Sequence, residues 1–564
     1  MRLGDVAWPS PSAWDELRAR VGGSLVELVS PLAVCRAEPD SPACREAIRQ
    51  LKNQYWLGDE PAITQTSGWL DGWASTPSVY AVAAQTPGDV AAAVDFARDR
   101  SVRLVVKGGG HSYHGTSNSP DSLLVWTRAM DQIVLHDDFV PAGCEGIVDP
   151  QPAVTVGAGA MWIQVYDAVT TLAGRYVQGG GCMTVGVAGL IQSGGFGSFS
   201  KAFGLAAAGL LEAEVVGADG VVRTVNDRAD PDLFWALKGG GGGTFGIVTR
   251  LTLRTRELPR TMGVAFGTLQ AGSDDALKRL VHRVVGFYAE RLFNPHWGEQ
   301  IAFAPDDSVS FGMVFQGLRR AQAVETWQPL LDWVEATDDV RWIVPLTIEE
   351  YPGRSHWDPA YLAQRVPERI VTDGRPGAPV GRFLWAGNVN EAGQFFHAYS
   401  STWLAESLLA PDQRTMLAEA LYLGSRHWRI ALHANKGLAG APQVDREAAL
   451  DTAMNPAVVE AFALAVIASE GDPAYRELPG PGPDLDAARR NAAAVGRASR
   501  EISRLVTRPA SYVSESDFFI EDWQEAYWGS NYPRRAAVKR RYDPTGLFNV
   551  HHGIGSEGWS EEGR

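Results

Sequence analysis

Positive charge is what this 564-residue chain lacks most: 51 lysines and arginines stand against 66 aspartates and glutamates, a net charge of −15. A phosphate backbone or an anionic bilayer surface needs a basic face, so neither nucleic acid nor membrane is an expected partner. No window approaches eighteen consecutive apolar residues, so nothing is expected to span a bilayer. Low-complexity tracts and short-period repeats are missing, as in an ordinary globular protein. There is no Walker-type lysine pattern and no histidine and cysteine cluster at metal spacing, so no metal site is expected. Cys182 has no partner cysteine at such spacing, and His111 with His114 would make too few ligands.

The opening residues, MRLGDVAWPS, lack the basic segment and apolar run of a secretory signal. Either the protein is cytoplasmic or a signal has been removed; the exported reading is favoured slightly. Only four cysteines are present. Cys35 and Cys44 lie in the segment PLAVCRAEPDSPAC and could close a short loop by a disulfide, which would persist only in an oxidising compartment. Two unpaired loop cysteines are the alternative, and the sequence leaves both open. Cys144, in VPAGCEG, suggests nothing specific.

What is present is a composition of globular type, 45% hydrophobic and 21% charged, in a chain long enough for two or three packed units. Residues 1–70 read as an N-terminal extension with one short helix near 41–54. A glycine-rich unit is expected at 71–260 and a helix-and-strand unit at 261–505. The closing segment, 506–564, is expected to return to the first unit and to fray after about residue 557. Inside the glycine-rich unit, YAVAAQ reads as a strand. Thr86-Pro87-Gly88-Asp89 then reads as a helix start, with Thr86 as N-cap, Pro87 at the first position and Asp89 as the capping carboxylate. The strand VRLVVK follows and runs into the turn GGGHSYHG. A further helix is expected through Trp162–Ala173.

Glycine lets a backbone approach a flat ring or a phosphate closely. Three dense glycine runs fall within about 140 residues of one another, a clustering that favours a large ligand over isolated turns. Gly241-Gly242-Gly243-Thr244-Phe245-Gly246 formally matches the dinucleotide fingerprint, but it precedes a strand where that fingerprint must open a helix. The match is accidental.

The segments KGGGHSYHGTS (107–117), GGGCMTVGVAGLIQSGGFGSFSKAFG (179–204) and GGGGGTFGIVTRLTL (239–253) resemble the FAD-binding domain of the vanillyl-alcohol-oxidase superfamily. The segment from Ser511, SYVSESDFFIEDWQEAYWGSNYPRRAAVKRRYDPTGLFNVHHGIG, resembles the terminal signature of its berberine-bridge-enzyme-like branch. Together they cover roughly 75–255 and 511–556 of the sequence. The N-terminal WPSPSAWDELRARVGG further resembles secreted fungal isoamyl alcohol oxidase-like proteins. The resemblance implies an α+β fold: a two-subdomain FAD-binding domain and an α+β substrate domain with an antiparallel sheet and helices.

It also implies roles for particular residues. His111 would bond to the 8-methyl carbon of the flavin and Cys182 to ring carbon six, giving bicovalent FAD. Both are nucleophiles on glycine-rich turns, the chemistry such bonds require. Further cofactor contacts are implied at Lys107, Gly108, Gly109, Gly110, Ser112, Val185, Gly186, Gly189, Gly194, Gly195, Gly246, Ile247 and Asn549, the last with His551 and His552 nearby. Lys107-Gly108 replaces the more usual Arg-Ser. Tyr512 matches a tyrosine over the flavin and is the expected catalytic base or substrate anchor, although Ser514 replaces a frequent asparagine. As a base it would need a lowered pKa, since a tyrosine ordinarily titrates near 10. A small Val185 at the dioxygen gate implies an oxidase. The implied function is hydride transfer from an alcohol or carbohydrate hydroxyl to covalent FAD, with dioxygen reoxidising it to give hydrogen peroxide. An oxidative cyclase or amine-oxidising biosynthetic enzyme is one alternative, and a flavin-binding protein without turnover is another. The partners are then a small-molecule substrate and dioxygen; nothing in the sequence bears on oligomeric state.

Overall fold

The computed structural model describes residues 3–558, so residues 559–564, where fraying was expected, lie outside the described residues. Three sheets of four or more strands organise the described residues, beside two two-stranded ribbons. The first has four strands, in the order Leu25–Glu27, Tyr80–Ala83, Ser122–Trp126 and Arg103–Lys107. The last three run parallel, which obliges a crossover, and the helix Pro87–Arg100 supplies it. The Thr86 hydroxyl accepts from Asp89 N at 3.2 Å, and the Asp89 carboxylate accepts from Thr86 N at 2.9 Å. This is the capping box expected from the sequence, a contribution of about 1 kcal/mol. Val90, Ala93, Val94 and Ala97 form the buried stripe of this helix, packed with Leu104, Leu123 and Val125 of the strands.

The second sheet is antiparallel: Val222–Val225, Leu210–Val216, Ile247–Arg254, Gln151–Gly157 and Ile133–Phe139. Its strand Ile247–Arg254 leaves the third glycine run directly, as the rejection of the dinucleotide fingerprint requires. The helix expected over 162–173 is α-helical through Trp162–Tyr166 and widens to a π-helix over Asp167–Leu172.

The third sheet has nine strands, in the order Val340–Pro352, Thr261–Ala271, Ser308–Gln316, Trp297–Phe303, Ile430–His433, Ala461–Gly471, Phe395–Ala405, Gly68–Trp69 and Trp73–Ala74. Side chains alternate across it. Ala265, Phe315 and Leu432 face a core shared with the helices Asp274–Phe287, Arg320–Glu335, Arg414–Ser425 and Leu485–Ser503. Val264, Val314 and His433 face a cavity instead.

The first seventy residues contribute strands to two of these sheets. Cys35 and Cys44 are joined by a disulfide, which links the helices Ala33–Ala37 and Pro42–Gln50. The closing segment packs on the first sheet, where Phe548 bridges Leu104. In the helix Tyr532–Tyr542, the buried Lys539 ammonium donates to Thr244 O and Phe548 O and pairs with Asp543 at 2.6 Å. Among the described residues, no helix is long and apolar enough to cross a membrane, and no group of acidic, histidine or cysteine side chains is arranged to hold a metal ion.

Candidate active site

Two cavities meet inside the molecule. The smaller, about 310 Å³, runs between the strands Arg103–Lys107 and Ile247–Arg254 and is walled by glycine turns. The larger, about 800 Å³, lies under the nine-stranded sheet. His111, Tyr113, Val185, Leu190, Tyr512 and Glu515 line both, so these residues mark the junction.

The smaller cavity fits a flat group with a polar tail. A Cβ at Gly189 or Gly242 would meet no protein atom within 4 Å; both glycines line the cavity and their lack of side chain leaves that space open. At Gly109, by contrast, a Cβ would stand 2.5 Å from Gly186 N, so the two glycine turns touch backbone to backbone. The buried Nε1 of Trp528 and Nδ1 of His552, both in cavity-lining residues, have no protein partner. Buried donors and acceptors are normally paired, so such orphans suit a polar ligand.

Folding brings the two expected nucleophiles onto a single hydroxyl. His111 Nε2 lies 2.9 Å from Thr184 Oγ1, and Cys182 Sγ lies 3.7 Å from the same oxygen. Thr184 donates to Gln54 Oε1 at 2.7 Å, and the Cys182 thiol reaches that oxygen at 3.5 Å. Enclosure within the protein drops the His111 imidazole to about 4, so it is neutral with a usable lone pair. Enclosure, helped by the charge of Glu391, pushes the Cys182 thiol up to about 12.

Most of the other expected cofactor contacts line the smaller cavity: Gly108, Gly109, Gly110, Ser112, Val185, Gly186, Gly189, Gly246 and Ile247. Ser112 also closes its turn by accepting from Thr116 N. Four do not line either cavity. Lys107, expected near the cofactor, turns away because its ammonium donates to Glu60 O at 2.6 Å and Ile63 O at 2.5 Å. It ties the N-terminal segment to the strand, and burial pushes it down to about 7. Gly194 and Gly195 serve the turn itself, with φ of 101° and 74°, and a Cβ on Gly195 would strike Leu190 at 2.1 Å. Asn549 also stands back from the cavity, its Oδ1 buried without a protein partner, while His551 and His552 reach the wall.

Tyr512 sits at the junction against Phe196, ring centroids 5.1 Å apart. Burial, with the charge of Glu515, pushes its phenol up rather than down. Lys436 is 6.0 Å from the ring centroid and is held by Glu515 in an ion pair. Tyr512 therefore lacks the lowered pKa that a base requires.

Three groups escaped sequence reasoning. Gln54 lies in the short helix Gln54–Asp59 of the extension and had no motif to flag it. Thr184, two residues past Cys182, was within the glycine motif but had no assigned role. Glu391 ends the turn Ala386–Glu391 and faces the larger cavity. Enclosure lifts its carboxyl to about 7; the hydrogen bond from Asn388 opposes this, and the charge of Glu515 adds to it.

A glycine-walled cavity with an imidazole where it meets a second chamber, and a thiol in that chamber, suits a cofactor-dependent oxidoreductase. Residues 78–226 match the FAD binding domain family, and residues 511–555 match the berberine and berberine-like family. The FAD-linked oxidoreductase malF of Malbranchea aurantiaca is 30% identical over 100% of this chain and 93% of its own length. The fold is shared with the VAO-type flavoprotein MtVAO615 of Myceliophthora thermophila, with a TM-score of 0.80 and 23% identity over 99% of this chain and 98% of that one. It is also shared with the glucooligosaccharide oxidase of Acremonium strictum, which has a 6-S-cysteinyl, 8α-N1-histidyl FAD: TM-score 0.64, 18% identity, 95% and 98% covered. The chain belongs to the FAD-linked oxidoreductases, with an FAD binding domain and a berberine-like closing segment, and shares the fold of VAO-type flavoproteins.

Proposed function

We propose that the protein is an oxidase that removes hydride from the carbon of an alcohol or carbohydrate hydroxyl, holds FAD through both His111 and Cys182, and passes the electrons to dioxygen to give hydrogen peroxide. The observation that carries this reading is Glu391. Oxidising a hydroxyl-bearing carbon requires a group that takes the hydroxyl proton, and such a group works best when its pKa lies near the working pH. The Glu391 carboxyl, lifted to about 7 and facing the larger cavity beside Cys182, meets that requirement. FAD supplies the hydride acceptor when bound.

The tyrosines take the complementary part. Burial raises the phenols of Tyr113, Tyr399 and Tyr512, so all three stay protonated and donate hydrogen bonds to substrate oxygens. Tyr512 is thus a substrate anchor. Val185, small and at the junction of the cavities, leaves dioxygen a route to the flavin. The bicovalent reading is supported by the convergence of His111 and Cys182 on Thr184, and by the doubly linked flavin of the glucooligosaccharide oxidase.

A panel of alcohols, oligosaccharides and amines, read by hydrogen peroxide release and by anaerobic bleaching of the flavin, tests the reading. Alcohols or sugars should bleach the flavin, and Glu391→Gln should slow that step by roughly 10²- to 10⁴-fold. A Glu391→Gln enzyme that reduces its flavin at the wild-type rate would remove the base. One observation favours a second reading, amine oxidation: Glu299 and Glu391, which make no ion pair among the described residues, line the larger cavity, whose cations are Lys436, paired with Glu515, and Arg320, Arg365 and Arg369. Bleaching by amines and not by alcohols selects that reading.

A further inference from the structure

The hydrogen bonds around His111 leave only one assignment of their protons. Gln54 Nε2 donates to Asn388 O, and a carbonyl oxygen only accepts, so the amide orientation is set and Oε1 points to Thr184. Thr184 has a single hydroxyl hydrogen and donates it to that oxygen at 2.7 Å. Its Oγ1 must therefore accept from His111 Nε2, 2.9 Å away. The Nε2 nitrogen is the protonated one, and the bare lone pair is on Nδ1.

The geometry points to Gln54 and Thr184 as positioning residues for self-attachment of the cofactor: they hold His111 in the Nε2–H tautomer and aim Nδ1 as the nucleophile. This rests on the covalent reading above and deepens it. In the attachment step one C–H bond of the flavin 8-methyl group and the Nε2–H bond break, and one bond forms between Nδ1 and the methyl carbon. The two electrons and two protons released reduce one dioxygen to hydrogen peroxide. The neutral state of His111 supports the assignment, since a protonated ring would have no lone pair to offer. The same Gln54 oxygen receives the Cys182 thiol at 3.5 Å, so one amide from the N-terminal extension orients both nucleophiles. Through Asn388 it also grips the turn that carries Glu391. Outer groups that orient a metal-binding imidazole matter by about one to two orders of magnitude, and the same scale is expected for this imidazole.

The test isolates the histidine bond in a Cys182→Ala background. Purified enzyme is denatured, and the flavin that stays with the polypeptide is measured against the total flavin bound before denaturation. Cys182→Ala should retain its flavin. Adding Thr184→Val or Gln54→Leu should cut the rate of covalent incorporation roughly ten-fold or more while FAD still binds. Thr184→Ser should restore it, which a packing role for the methyl group would not predict. Full retention by Cys182→Ala/Thr184→Val overturns the relay and leaves the covalent reading standing. Complete release by Cys182→Ala and by wild type overturns both. A second measurement needs no variant: the flavin peptide from wild type should carry its bond on Nδ1 of His111, and attachment at Nε2 overturns the proposal.

Discussion

Glu391 and Tyr512 differ in which protonation state the fold favours. Both are raised by enclosure, but a carboxyl lifted to about 7 still ionises in ordinary buffers, whereas a phenol raised from near 10 does not. With Glu391 as base, kcat/KM should climb as pH rises through about 7 and then level, and Glu391→Gln should abolish the climb. The same shift has a stability consequence of fixed sign. The folded pKa exceeds the unfolded value, so the contribution of Glu391 is fully present below about 4.3 and is lost as pH rises through 7. Glu391→Gln should therefore melt higher than wild type at pH 8 and show no such gain at pH 4, in paired thermal scans. Val185 belongs to the same scale: Val185→Phe should slow reoxidation by dioxygen several-fold and leave anaerobic reduction largely unchanged, measured by stopped flow.

At the level of elements, the helix Gln54–Asp59 carries an unusual share of the design. Asn53 caps its start, accepting from Tyr55 N at 3.0 Å, and Gln54 at its first position accepts from Thr184 and Cys182. At its other end, Asp59 meets Arg128 at 2.9 Å, Arg375 at 2.8 Å and Arg382 at 3.0 Å. Burial pushes the Asp59 carboxyl up, but the three guanidinium groups outweigh it and hold it below the usual range. Its stability contribution is thus present above about pH 4 and is lost as pH falls through the lowered pKa. Asp59→Ala leaves three cations without their shared partner and should cost about 1 to 2 kcal/mol, the group being partly solvated. Calorimetry checks the cost, and denaturation-stable flavin shows whether Gln54 has moved with it. The Cys35–Cys44 disulfide braces the helices just before this one. Closing so short a loop contributes about 2 to 3 kcal/mol, so Cys35→Ser/Cys44→Ser should melt a few degrees lower, with reductant producing the same shift in wild type.

At the scale of the whole molecule, the site is assembled from chain segments hundreds of residues apart. Gln54 comes from the extension, His111 and Cys182 from two glycine turns, Glu391 and Lys436 from the middle of the chain, and Tyr512 and Glu515 from its last sixty residues. No sheet holds the site alone; it forms where the smaller and larger cavities join. Two independent covalent anchors would make cofactor loss improbable without both failing. His111→Ala and Cys182→Ala should each keep their yellow colour after denaturation, and the double variant should release it, as seen by absorbance of the precipitated polypeptide.

The sequence by itself determined the family, the FAD requirement, the capping box at Thr86 and the strand after the third glycine run. These depend on contiguous residues, where glycines, caps and alternating apolar positions act through neighbours a few residues away. It left Cys35 and Cys44 undecided, because pairing depends on how two short helices approach. It also set Lys107 beside the cofactor by its place in a motif, whereas the fold spends that ammonium on the carbonyls of residues 60 and 63. Only the tertiary structure decided that Gln54 and Thr184 join His111 and Cys182 in one hydrogen-bond cluster and that enclosure lifts Glu391 to about 7 while Tyr512 stays a protonated phenol. A pKa and a tautomer are set by what surrounds a group in three dimensions, by enclosure, charge and the direction of neighbouring donors, and none of these is local in the chain.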